Sequence, residues 1–141
     1  MIKNPNNLKA KSIDWNFDNI EFKFFKKDIW KDIKEIDGYL SVYEAFYLYQ
    51  TAINLNPESR AIDLPDGRAV VEIGAYKGKS TICIALGLLK NKYKYKFISI
   101  DPLYQDKEHL IYFKNLLKKF KVEEIVEIQD KFSETAFVEW D

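Results

Sequence analysis

Sulfur and imidazole are almost missing from this chain: of 141 residues, one is cysteine, Cys83, and one is histidine, His109. A lone thiol excludes an intrachain disulfide framework and any zinc site built from several thiolates, and it suits a reducing compartment. An excess of one charge is missing too. Lys and Arg number 22 against 22 Asp and Glu, so nothing draws the chain toward polyanions or membrane surfaces in general. Long apolar runs are also lacking, since the longest, Ile82 to Leu89, contains a glycine and falls far short of the ~20 residues that span a bilayer. The N-terminal MIKNPNNLKAKS has basic residues with no apolar stretch behind them, which does not read as a secretory signal. These absences lead us to expect a cytoplasmic protein with no nucleic-acid partner and no membrane partner.

What is present is a core. Apolar residues make up 47% and aromatics 16%, enough for one packed domain of this length. The first 27 residues show weak periodicity, and Ile20 to Phe25 (IEFKFF) is compatible with a short strand or an irregular packed arm. From Asp28 the apolar positions Ile29, Ile33 and Ile36 form a helical stripe that Gly38 stops. Ser41-Val42-Tyr43-Glu44 fits a capping box, predicting a helix from about Val42 to Leu55 that buries Ala45, Phe46, Leu48, Tyr49, Ala52 and Ile53. The aromatics Trp15, Phe17, Phe24, Phe25 and Trp30 are expected to pack this N-terminal part against the rest. Pro57, Pro65 and Asp66-Gly67 mark the loop that closes it. We therefore divide the chain into a helical lead-in, residues 1–64, and a second part, residues 65–141.

The second part alternates. Ala69 to Ile73 (AVVEI), Phe97 to Ile100 (FISI) and Glu124 to Ile128 (EIVEI) read as strands, and helices from about Lys79 to Leu89 and along Leu110, Phe113, Leu117 and Phe120 separate them. Strand, helix, strand, helix, strand predicts a parallel sheet with right-handed crossovers, an α/β fold of the three-layer, Rossmann-like kind. Each unit takes roughly 27 residues, close to the ~30 usual for it. Thirteen residues follow Ile128, from 141 − 128. That is too few for another crossover and strand, so we expect an incomplete sheet of three strands. It would be a piece of a larger enzyme, or a sheet completed by another chain or by the N-terminal arm.

The chemistry concentrates in Val70 to Thr81, VVEIGAYKGKST. A strand entering Gly74-Ala75-Tyr76-Lys77-Gly78 and then a helix sets a tight turn over a helix N-terminus, where anionic groups are favoured. Ser80 and Thr81 fall in the first helical turn, with hydroxyls able to hold a carboxylate. Glu72, near the strand's end, is placed to receive a cationic amino group. Asp101 ends the adjacent strand, where nucleotide folds carry the acidic residue that accepts ribose hydroxyls.

VVEIGAYKGKST followed by FISIDP resembles the first two cofactor motifs of class I S-adenosylmethionine-dependent methyltransferases. GAYKGKS is similar to the loop of the catechol, sugar and macrolide O-methyltransferase branches. Gly38-Tyr39-Leu40, Glu44-Ala45 and LPDGRAVVEIG resemble the lead-in of that group. The resemblance implies S-adenosyl-L-methionine as cofactor and a small-molecule methyl acceptor. It implies that Gly74, Ala75, Tyr76 and Gly78 line the methionine end, that Ser80 and Thr81 lie at its carboxylate, and that Glu72 supports its amino group. Asp101 would hold the ribose hydroxyls, and the loop at Asp130 to Glu134, with Ser133, would border the adenine. The family's small triplet after the third strand is replaced here by Gln129-Asp130-Lys131-Phe132-Ser133. The acidic residue that binds a divalent metal in some members would lie beyond Asp141, so the sequence names no catalytic residue and no metal ligand. A chain without the other half of the crevice is expected to be inactive alone.

Other readings compete. GAYKGKS imitates a phosphate loop, but three residues instead of four separate its glycines. The dinucleotide fingerprint G-x-G-x-x-G is absent. A non-catalytic half-domain or partner-binding module remains open, and an apolar first strand at a sheet edge would favour self-association. Three further features have plainer roles. His109 is expected on the solvated face of its helix, Cys83 as a small buried hydrophobe, and Lys90 to Lys96 (KNKYKYK) as a solvated loop.

Overall fold

A computed structural model describes residues 17–56 and 69–139. Trp15 and the segment from Pro57 to Arg68 lie outside them, so the boundary at 64/65 does as well. The lead-in is helical from its first described turns: α1 (Ile20–Phe24), a π-helical turn (Phe25–Ile29), α2 (Trp30–Ile33) and α3 (Val42–Asn54). IEFKFF is thus neither strand nor irregular arm. Asn19 caps it, its carboxamide oxygen accepting from the Phe22 amide at 2.8 Å. Phe22 and Phe25 then continue upstream the stripe of Ile29, Ile33 and Ile36, at spacings of three, four, four and three. Phe24, off that stripe, is half-exposed, contrary to the packing expected of it.

Ser41 and Glu44 form the expected capping box, the Ser41 amide donating to Glu44 Oε2 at 2.8 Å and the Glu44 amide to Ser41 Oγ at 3.3 Å. The helix so started packs Phe46 among Phe17, Phe22 and Phe25. At its far end Asn91 Nδ2 donates to the carbonyls of Ala52 and Leu55, both at 2.9 Å, and so satisfies acceptors that a helix terminus leaves open.

The remaining order is β1 (Ala69–Ile73), α4 (Lys79–Lys90), β2 (Lys96–Ile100), a 3-10 turn (Pro102–Gln105), α5 (Lys107–Lys119), β3 (Val126–Gln129) and α6 (Ser133–Val138). The strands form a parallel sheet in the order β1-β2-β3, with Val70 opposite Phe97 and Phe97 opposite Val126. This is the mixed α/β arrangement with three parallel strands that the alternation implied. One hydrophobic cluster runs through Phe25, Phe46, Ile82, Phe97, Phe113 and Val126, uniting lead-in, crossover helices and one face of the sheet. On the other face α6 lays Ala136 against Ile98 and Ile100, while Val71 and Ile73 of β1 stay exposed. Among the described residues no helix is long and apolar enough to cross a membrane.

Cys83 is fully buried, and burial pushes its thiol up to about 12. Lys92, Lys94 and Lys96 are exposed. His109 is buried rather than solvated: Asp106 caps the start of α5 through the His109 amide at 2.7 Å, and this turns the imidazole onto Tyr104, ring centres 6.0 Å apart.

Candidate functional site

The turn between β1 and α4 places three residues in left-handed backbone, Gly74 (φ 82°), Tyr76 (φ 49°) and Gly78 (φ 86°). Glycine takes this conformation freely, whereas Tyr76 does so at a cost of roughly 1–2 kcal/mol. Two contacts hold Tyr76 there. Its amide donates to Asp101 Oδ2 at 2.8 Å, and its hydroxyl donates to Asp37 Oδ2 at 3.2 Å. Gly78 has a packing reason as well, because a Cβ on it would come within 2.8 Å of the Phe113 ring. Asp101, 4% exposed, also caps the following 3-10 turn through the Leu103 amide at 2.8 Å. The turn and the end of β2 therefore converge on one carboxylate.

Beneath the turn lies a buried polar cluster centred on Glu72. Ser80 Oγ donates to Glu72 Oε1 and Thr81 Oγ1 to Glu72 Oε2, both at 2.5 Å, while Ser99 Oγ reaches Oε2 at 3.4 Å. Tyr104 Oη lies 2.8 Å from Ser99 Oγ and extends the chain. With Gly78 at the N-cap lacking a side chain, the hydroxyls of the first turn of α4 turn to the strand below. Burial raises the Glu72 carboxyl above its ordinary range. The three hydroxyls oppose that shift, and the neighbouring Asp101 adds to it.

A raised folded value means that the native state keeps this proton longer than the unfolded chain does. The associated stability is present below the unfolded value and is lost as pH rises through the folded one. Glu72→Gln should remove that loss. Urea midpoints measured between about pH 4 and about pH 8 should fall with rising pH less steeply in the variant than in the parent. Parallel curves would show that Glu72 titrates alike in both states.

Above the cluster, a pocket of about 410 Å³ opens between residues 37–40 of the lead-in and the turn. Gly74, Ala75, Tyr76 and Ser80, four of the residues singled out in the sequence, line it. Glu72 and Thr81 support it from below instead of forming its walls. Gly78 faces α5, Asp101 sits behind the turn, and Ser133, exposed at the start of α6, is not among the walls. The walls also include residues for which the sequence suggested no ligand role: Asp37, Gly38, Tyr39 and Leu40, with Lys77 and Lys79 from the turn. Gly38 marks a helix stop and, with Tyr39 and Leu40, part of the lead-in resemblance, but neither feature points to a pocket wall, and nothing local to Lys79 tells of its burial.

A larger pocket of about 620 Å³ lies under the 91–96 loop, at the ends of β2 and β3 where the strands begin. Open α/β sheets bind ligands at the opposite, carboxyl ends, which selects the pocket at the turn. Among the described residues no three His, Cys, Asp or Glu side chains gather as a metal site would. Comparison of the chain with protein-family models and with curated proteins finds no match.

Proposed function

We propose that the chain binds S-adenosyl-L-methionine in the manner of class I methyltransferases, in the service of O-methyl transfer to a small molecule or sugar. The observation that carries this reading is the pocket itself. A glycine-bounded turn over a helix N-terminus, at the carboxyl ends of parallel strands, is faced by the lead-in, and its volume falls in the range of about 300–1,000 Å³ typical of small-ligand sites. The first amides of α4 have no intrahelical acceptors and face the amino-acid end of such a ligand. The cofactor, once bound, supplies an electrophilic methyl on a sulfonium. The protein's own part is alignment and exclusion of water, with Asp101 fixing the turn and residues 37–40 covering it.

The phosphate-loop alternative is disfavoured by main-chain amides already in use. The Gly74 amide donates to Ile100, the Gly78 amide to Ala75 and the Tyr76 amide to Asp101. A phosphate would need those same donors. Calorimetry should accordingly detect S-adenosylhomocysteine binding to the wild-type chain, with adenosine triphosphate and magnesium binding more weakly. The reverse order would overturn the reading.

A further inference from the structure

The sheet has two edges, and the chain treats them differently. Its outer strands are β1 and β3. The Gly74 amide donates to the Ile100 carbonyl, so the alternation of a ladder turns the main-chain groups of Val70 and Glu72 toward β2 as well. Those of Ala69, Val71 and Ile73 point away from the sheet, and among the described residues no strand pairs with them. A row of unpaired N–H and C=O groups is a template for another strand.

The side chains on this edge do nothing to discourage pairing. Val71 lies beside Ile98 and Ile73 beside Ile100, on the face that α6 covers. Ile98 and Ile100 are buried there, whereas Val71 is 41% and Ile73 65% exposed. Ala69 is exposed too, and none of the three carries a charge. Natural edges are usually guarded by lysine, proline, a bulge or an inward-pointing charge. The other edge is guarded in that way: Glu127 of β3, beside Ile98 on the same face, is ion-paired with Lys96 at 2.7 Å, and Gln129 follows it.

We infer that β1 is a dimerisation edge, taken by β1 of a second copy of this chain in antiparallel pairing about Val71. The identity of the occupant follows from symmetry. Pairing β1 with β3 of another copy is head-to-tail and leaves a free edge at each end, so copies would add without limit. It would also set Val71 and Ile73 against the charged strand. Pairing β1 with β1 closes on a two-fold axis. Centred on Val71, it sets Val71 opposite Val71 of the second copy and Ala69 opposite Ile73 of the second copy, so the outward N–H and C=O groups of all three residues meet partners. No like charges face one another. The exposed Val71 and Ile73 of both copies merge into one apolar strip on a sheet of six strands, three from each copy. The inference is independent of what the pocket binds.

Sedimentation equilibrium of the wild-type chain over a wide concentration series should show a monomer–dimer equilibrium and no larger species. Val71→Lys puts like charges opposite each other across the axis and should weaken the dimer by roughly tenfold or more. Cross-linking reads the register. Val71→Cys should form an intermolecular disulfide on mild oxidation, because directly opposed Cα atoms stand about 5.5 Å apart, within disulfide reach. Ala69→Cys and Ile73→Cys should link poorly by themselves and readily when mixed. Wild type, whose thiol at Cys83 is buried, is the control. A chain that stays monomeric throughout, or that grows into open-ended assemblies, overturns the inference. So does a dimer that Val71→Lys leaves as tight as wild type, or one that Val71→Cys does not cross-link. If Val71→Lys does not fold, the cross-linking pattern decides alone.

Discussion

Gly87→Val should destabilise the protein by about 3 kcal/mol, near the upper end of what overpacking costs, and should lower both the urea midpoint and Tm. Gly87 lies inside α4, with no unusual backbone to require a glycine, and glycine within a helix is itself unfavourable by roughly 0.5–1 kcal/mol. Its reason is contact. A Cβ there would stand 2.4 Å from the Tyr49 carbonyl oxygen and 2.6 Å from the Ala52 Cβ, atoms of the α3 backbone and its shortest side chain. Neither can swing aside, so α3 would have to lift from α4. The same displacement would carry residues 37–40 away from the turn, because they connect α2 to α3. Ligand affinity should fall together with stability. A variant with an unchanged midpoint would mean that α3 is not seated on α4 at this glycine.

Where a signal is local, the sequence and the fold agree closely. AVVEI is a strand with the bounds read from its β-branched run, and the Ser41–Glu44 pair starts α3 where the capping box puts it. Phe113 and Leu117 are buried along α5 as their spacing implies. Disagreement enters where tertiary contact decides. The expected strand Glu124 to Ile128 is observed at Val126–Gln129, because pairing with Phe97 begins only at Val126 and the preceding residues turn back on Val122. The short α6 buries Ala136 alone, so its sequence carries no amphipathic stripe to read. His109 sits one turn from its capping Asp106 and reads as a surface residue until Tyr104 is placed beside it.

The site divides in the same way. The glycines and Ser80 are legible because a turn over a helix start has a fixed local grammar. The opposite wall at 37–40 comes from some 40 residues upstream, as the contact from Lys79 to Gly38, 41 residues apart, makes plain. No periodicity within either segment encodes that meeting.

Asp101→Ala should cost about 3 kcal/mol of stability, since a hydrogen bond to a charged group contributes roughly 1.5–3 kcal/mol and two are lost. The carboxylate ties together three things: the end of β2, the Leu103 amide that opens the 3-10 turn, and the Tyr76 amide in its left-handed conformation. Without it, Tyr76 has less reason to remain left-handed, and the segment lining the pocket relaxes toward ordinary backbone. Affinity for S-adenosylhomocysteine should therefore drop, even though Asp101 is not one of the pocket's walls. Asp101→Asn separates the ways in which that drop can arise. The carboxamide keeps one acceptor oxygen and can serve one of the two amides, so stability should fall by about half as much. If Asp101 works by shaping the turn, affinity follows stability through the series aspartate, asparagine, alanine. If its oxygens instead meet ligand hydroxyls directly, the asparagine variant loses affinity out of proportion to its modest loss of stability. With both oxygens already accepting main-chain amides and the residue almost fully enclosed, we expect the proportional series, and calorimetry beside urea denaturation on the same three proteins reads it directly.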